Sequence, residues 1–406
     1  MHFTWLKSMS AVLAAAFLFT NADARSWTDK KGRTIDADFV STDGTNVTLK
    51  LTKTGKTATV PIDSLSPKDV AFVNEQETQE PVDSADVVDM PDRWPEKVPG
   101  PKNFRLKEEN AKDKNRSTYI YKTANFRFTS QKPLDEKAQE AIGRLYEGTF
   151  AAVKRMPLPI PRVKSKRRPG QELKALLTPD MASYYAAGGP QGSVGVFRSA
   201  MAQTNKRLTE KDVQDDMTIV PFTALGISPD GKLLDDKIDS HTLAHEITHQ
   251  LTCLCNFRNS IWINEGMSEY VGYVPYDGNE FDFTGAFKNI REAAMVYEQH
   301  GKWTLPFTIE EFIDMSQDTF YGKGSTDPNY GHRNYTLAAM LVAYHFHLDD
   351  RYGLRNFTNY MNALQRGTAP DKCKKTLLGK RKNFKQLQDD FSAAWKEKGV
   401  NIQFKE

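Results

Sequence analysis

The chain has 406 residues, with 55 Lys and Arg against 52 Asp and Glu, a formal net charge of +3 and 26% charged residues. That near-balance gives no bulk signal for a polyanion, so no nucleic-acid partner is expected, and the length suits two or three domains. Short basic runs at Arg162 to Arg168 and Lys372 to Lys385 read as solvated surface in such a chain.

Residues 1–24 have the marks of a signal peptide. Lys7 supplies a positive start, Ala11 to Phe19 is a nine-residue apolar run, and Ala22-Asp23-Ala24 is an A-x-A cleavage signal. The run is too short to span a bilayer, and no later segment is long and apolar enough for a membrane helix. The expected location is therefore exported, periplasmic or extracellular, with no membrane span in the mature protein. The three cysteines, Cys253, Cys255 and Cys373, are odd in number and leave one thiol over if a disulfide forms. Two helical steps turn Cys255 about 200° away from Cys253, which makes Cys255 the expected partner of Cys373.

Residues 25–75 read as a small β-rich unit. Val47, Leu49 and Leu51 alternate with Thr48, Lys50 and Thr52, a one-sided strand, and Asp43-Gly44 and Thr54-Gly55 mark turns. Ser66-Pro67-Lys68-Asp69 opens a short helical turn. Asp36 and Asp38 read as an outward strand face. The Trp-Thr, Val-Pro and Leu-Ser-Pro landmarks of this run resemble an SH3-like module of the Sla-homology type. That resemblance implies binding or tethering, with a protein or the cell wall as partner. Glu75 to Asp92 then carries seven acidic residues and no basic ones, and Pro91, Pro95, Pro99 and Pro101 follow. Residues 76–115 are thus expected to be an extended linker.

Residues 116–406 are expected to be α+β. Thr118 to Thr123, Phe126 to Thr129, Leu173 to Leu177 and Ile219 to Phe222 alternate like strands. Leu134 to Met156 is amphipathic, with Ile142, Leu145, Tyr146, Phe150 and Val153 on one face. Gly192 to Phe197 is a Gly-spaced strand candidate. Further helices are expected near Ile309 to Met315, Asn334 to His347, Arg355 to Gln365 and Phe384 to Lys398.

The chemistry sits in His245-Glu246-Ile247-Thr248-His249, the H-E-x-x-H pattern, with no Gly or Pro between Ser240 and Cys255. Residues four apart share a helix face, so His245 and His249 can offer imidazoles to one metal ion. Glu246, one step round, can reach a water activated by that ion without ligating it. Two histidines at this spacing also occur on ordinary solvated helices. What separates the readings is Trp262-Ile263-Asn264-Glu265-Gly266, downstream.

H-E-x-x-H followed by W-x-N-E-G resembles the gluzincin metallopeptidases, the clan of thermolysin and the zinc aminopeptidases. The resemblance implies a thermolysin-like zincin domain with a small mixed sheet, a metal helix and a C-terminal helical part, preceded by the small SH3-like β-barrel. It implies Zn(2+) held by His245, His249 and Glu265, with Glu269 orienting the first histidine from behind. Fifteen residues separate His249 from Glu265 and nineteen separate it from Glu269. Spacing alone favours Glu269; the Asn-Glu-Gly signature favours Glu265. His241, four residues before His245, reads as a helix-start or outer residue. The resemblance also implies an edge strand at Gly195 and Val196 that aligns a substrate backbone. It implies a tyrosine facing the zinc as well, for which Tyr335 is the choice and His332 and Tyr330 are the reserves.

The implied function is an exported zinc peptidase that hydrolyses peptide bonds with Glu246 as general base. Two other readings stay open: a non-catalytic metal-containing binding protein, and a metal-dependent hydrolase of another amide, such as cell-wall peptide. An intact Glu246 counts against the first, since a scaffold needs no base there.

Overall fold

The computed structural model describes residues 25–42, 46–77, 93–101, 106–164, 172–199, 207–234, 238, 240–349 and 353–405. The expected signal peptide and most of the acidic run lie outside them. The chain divides into two compact units between Val87 and Val88, mixed α and β overall.

In the first unit, β1 (Arg25–Thr28), β2 (Thr34–Thr42), β3 (Asn46–Leu51) and β4 (Thr57–Pro61) form an antiparallel meander in that order. The alternation of Val47 and Leu49 with polar neighbours puts both inside, with Trp27, Ala37, Leu65 and Val73. After β4 the chain returns to the end of β1, where Asp29 bridges Leu65. Helix α1 (Pro67–Glu77) follows, and Phe72 packs edge-on against Trp27 at 5.5 Å. Asp36 is exposed and Asp38 half-buried.

The second unit begins inside the segment expected to be linker. Residues β5 (Lys97–Pro99) pair with β12 (Glu280–Asp282), and β6 (Lys107–Glu108) pairs with β7 (Tyr119–Lys122). Trp94 packs against Tyr270, Phe346 and His347. Pro99 thus lies in paired chain rather than in a free spacer.

Its main sheet has six strands in the order β10-β11-β9-β8-β7-β6. These add β8 (Phe126–Ser130), β9 (Leu173–Thr178), β10 (Val196–Arg198) and β11 (Met217–Pro221). β8, β9 and β11 run parallel; β10 lies antiparallel on β11 at the edge. Strand character starts only at Val196 because turns with positive φ at Gly188 (96°) and Gly192 (83°) precede it. Helix α2 (Glu136–Arg155) is capped by Asp135 and lays Ile142, Leu145, Tyr146 and Val153 on the core. Phe126 and Phe128 meet the Tyr146 ring edge-on at 5.0 and 4.8 Å. Each such buried side chain contributes roughly 1.5–3 kcal/mol.

Short helices α3 (Pro161–Lys164) and α4 (Met181–Ala186) precede α5 (Ser240–Thr252), the helix of the H-E-x-x-H pattern, which passes into a tight turn at Cys253–Cys255. Then come α6 (Ile261–Gly272), α7 (Ala286–Met295), α8 (Ile309–Ile313) and α9 (Gln317–Phe320). α10 (Tyr330–Ala343) starts four residues earlier than its apolar pattern and continues into a π turn at Tyr344–Leu348. α11 (Gly353–Gln365), α12 (Pro370–Cys373) and α13 (Phe384–Glu397) complete the helical part. Among the described residues no helix is long and apolar enough to cross a membrane. The three cysteines are separate buried thiols, so the expected Cys255–Cys373 bridge is absent. Cys255 lies by the Gln365 amide, whereas the Cys373 thiol turns to the Pro370 carbonyl.

α6 is the hinge of this arrangement, because it packs on both α5 and α10. Gly266 permits the second contact: a Cβ there would stand 2.6 Å from the Ala338 carbonyl oxygen. The glycine of Asn-Glu-Gly thus lets two helix backbones close to the distance that brings Glu265 and Tyr335 into one cleft.

Candidate metal centre

The four-residue spacing on α5 turns His245 and His249 to one side, with their Nε2 atoms 3.0 Å apart. α6 crosses this face and inserts Glu265, whose Oε2 lies 3.3 Å from His245 Nε2 and 3.2 Å from His249 Nε2. All three side chains are buried. Four ligands at 2.0–2.1 Å in a tetrahedron are separated by edges of about 3.3–3.4 Å. The three edges observed, 3.0, 3.2 and 3.3 Å, fit one face of such a tetrahedron. Donor chemistry agrees with the spacing, since two imidazoles and a carboxylate suit a borderline cation. Among the described residues this is the group placed to hold a metal ion.

Glu269 stands behind the group. Its Oε2 accepts a hydrogen bond from His245 Nδ1 at 2.8 Å, and its Oε1 lies 3.2 Å from His241 Nε2. That contact fixes the His245 tautomer with Nε2 turned toward Glu265. Electrostatics follow from the crowding. Burial opposes charge on His245, but hydrogen bonds to Glu265 and Glu269 outweigh it and hold its pKa well above the ordinary value. Burial likewise opposes the charge on Glu265 and Glu269; for Glu265 the His249 charge, and for Glu269 the His241 hydrogen bond, leads the histidine effects that push each carboxyl far below its usual range. The cluster calls for positive charge, whether protons or a cation.

Glu246 is half-buried beside the group, and its Oε2 accepts a 2.6 Å hydrogen bond from the Phe197 amide. Gly195 makes that approach possible, because a Cβ there would lie 3.3 Å from Glu246 Cγ. Gly195 and Val196 both line the cleft, yet the sequence missed Phe197, whose amide carries the contact and whose ring stacks on His249. The cleft encloses about 910 Å³ between β10, α5, α6 and the start of α10.

Tyr335 lines it with its ring 5.9 Å from that of His245. Burial first, then the Glu265 charge, drives its pKa far upward, so the hydroxyl keeps its proton. His332 is exposed at the rim, and Tyr330 is not a lining residue. Tyr321 was not foreseen: its hydroxyl donates to Glu265 Oε1 at 2.8 Å. It follows the four-residue α9 in irregular chain, where no periodicity marks it.

Comparison with curated proteins and with solved structures gives no match. The front of the chain does match a family: residues 20–80 correspond to SLA1 homology domain 1.

Proposed function

We propose that the protein is an exported zinc metallopeptidase of the gluzincin type, with a thermolysin-like second unit and a binding or tethering module in front. The observation that carries this reading is the triangle of His245, His249 and Glu265 with Glu246 alongside in one cleft. Zinc, when bound there, supplies Lewis acidity that polarises a substrate carbonyl and lowers the pKa of water to about 7.

The remaining steps belong to the chain. Glu246 takes the proton of the attacking water and delivers it to the leaving amine. The Phe197 amide holds that carboxylate at the edge of the sheet. Tyr335 keeps its hydroxyl protonated and offers a donor to the carbonyl oxygen as negative charge builds on it. The exposed edge of β10, from Gly195 and Val196 onward, supports alignment of an extended substrate by strand addition.

Glu246→Gln is the test. The amide is nearly isosteric but cannot accept a proton, so zinc content should match the parent. Hydrolysis of a mixed peptide library should fall by about 10²–10⁴-fold. Near-parent turnover would sink the mechanism. A parent that binds zinc yet cleaves no peptide would move the substrate to another amide or the site to a scaffold role.

A further inference from the structure

We propose that Tyr321, with Asn264, sets the metal preference of the centre by holding Glu265 to one donor oxygen; this rests on the metal-site reading above. The two oxygens of Glu265 have different duties. Oε2 faces both imidazole Nε2 atoms, at 3.2 and 3.3 Å. Oε1 is taken by two donors, the Tyr321 hydroxyl at 2.8 Å and the Asn264 Nδ2 at 3.2 Å. A carboxylate so divided offers one oxygen to a cation between the histidines and keeps the other out of reach.

The consequence is a coordination number. Two nitrogens and one oxygen leave a single open position in a tetrahedron, the arrangement of catalytic zinc sites. A carboxylate free to turn could give both oxygens and raise the number, favouring ions that prefer more oxygen ligands. Tyr321 suits the task because its own place is fixed from the other side: its ring stacks on Tyr335 at 6.0 Å and meets Phe320 edge-on at 5.7 Å. Tyr321 touches the ligand rather than the reacting atoms, and is a positioning residue.

The experiment uses the full purified chain stripped of metal, with Tyr321→Phe and Asn264→Ala as variants. Zinc and manganese affinities are measured by chelator competition, and the visible absorption of the Co(2+)-loaded protein is recorded. Tyr321→Phe should lose about 10–100-fold in zinc affinity, with manganese affinity falling less. The cobalt bands should weaken and shift toward a higher coordination number, while metal-free thermal unfolding stays at the parent value. Asn264→Ala should change the same quantities in the same direction and less. Zinc affinity within threefold of the parent and a superimposable cobalt spectrum in both variants would overturn the proposal and leave the metallopeptidase reading standing. A parent that takes up no metal would overturn both.

Discussion

Each unit buries a carboxylate, and the two are used in opposite ways. Asp69 of the first unit is enclosed by donors: Arg25 pairs with Oδ1, and the Thr28 amide and Ser66 hydroxyl bond Oδ2 at 2.8 Å each. Nothing further can approach it, and its work is to tie β1 to α1. Glu265 has one oxygen enclosed in the same manner, while the other faces two ring nitrogens across a cleft. A buried carboxylate with both oxygens taken by neighbouring donors is structural. One whose second oxygen converges with two imidazole nitrogens is placed to hold a metal ion.

The largest test of that contrast is removal of each carboxylate. Glu265→Ala should abolish zinc retention, read by metal analysis after dialysis, and hydrolysis should go with it. Glu269→Ala should keep the metal with affinity lower by about 10–100-fold. The reverse order would hand the ligand role to Glu269. Asp69→Asn should leave metal and turnover unchanged. Its cost of about 3 kcal/mol should appear as faster hydrogen exchange confined to residues 25–77.

A smaller effect tests the boundary between the units. A chain starting at Val88 keeps Trp94, β5 and β6 and should match the parent in zinc content and thermal unfolding of the second unit. A chain starting at Asn115 lacks all three and should unfold at lower temperature. Equal midpoints would return residues 93–115 to the linker.

Gly266→Ala presses a methyl on the Ala338 carbonyl and should destabilise the second unit by about 1–3 kcal/mol. Turnover should fall more than zinc content, because the displaced helix carries Tyr335 rather than a ligand. An unaltered ratio of the two would count against α6–α10 spacing as the determinant.

Acid sharpens the comparison further. Residues 25–77 contain no histidine. In the second unit burial lowers His345 and His347 to about 4 from the ordinary 6.5. The unfolded chain binds these protons below about 6.5 and the folded chain only near 4, so this stability is present above 6.5 and lost as pH falls toward 4. His345→Phe should flatten that slope in urea titrations of the second unit; a slope like the parent's would assign it to other groups.

Local periodicity made much of this legible. The H-E-x-x-H face, the stripe of α2 and the alternation of β3 each repeat within one element, so residue spacing alone orients them. The sequence also offered two glutamates on one face of α6: the Asn-Glu-Gly signature pointed to Glu265 and chain spacing to Glu269, because spacing does not state how deeply two helices cross. Packing decided it: with Gly266 against Ala338, Glu265 reaches both Nε2 atoms while Glu269 meets Nδ1 of His245.

Other parts were outside the reach of any local pattern. The pairing of β5 with β12 joins residues about 180 positions apart, and acidic, proline-rich composition hid it behind the look of a spacer. Tyr321 meets Glu265 across 56 positions from irregular chain. The Phe197 amide is a backbone group that any residue would supply, so no side chain announces it. The sequence by itself determined which residue types could ligate a metal and on which helix face. Which oxygen meets which nitrogen, and what stands behind it, was decided only by the tertiary structure, because those distances are set by contacts between elements remote in the chain.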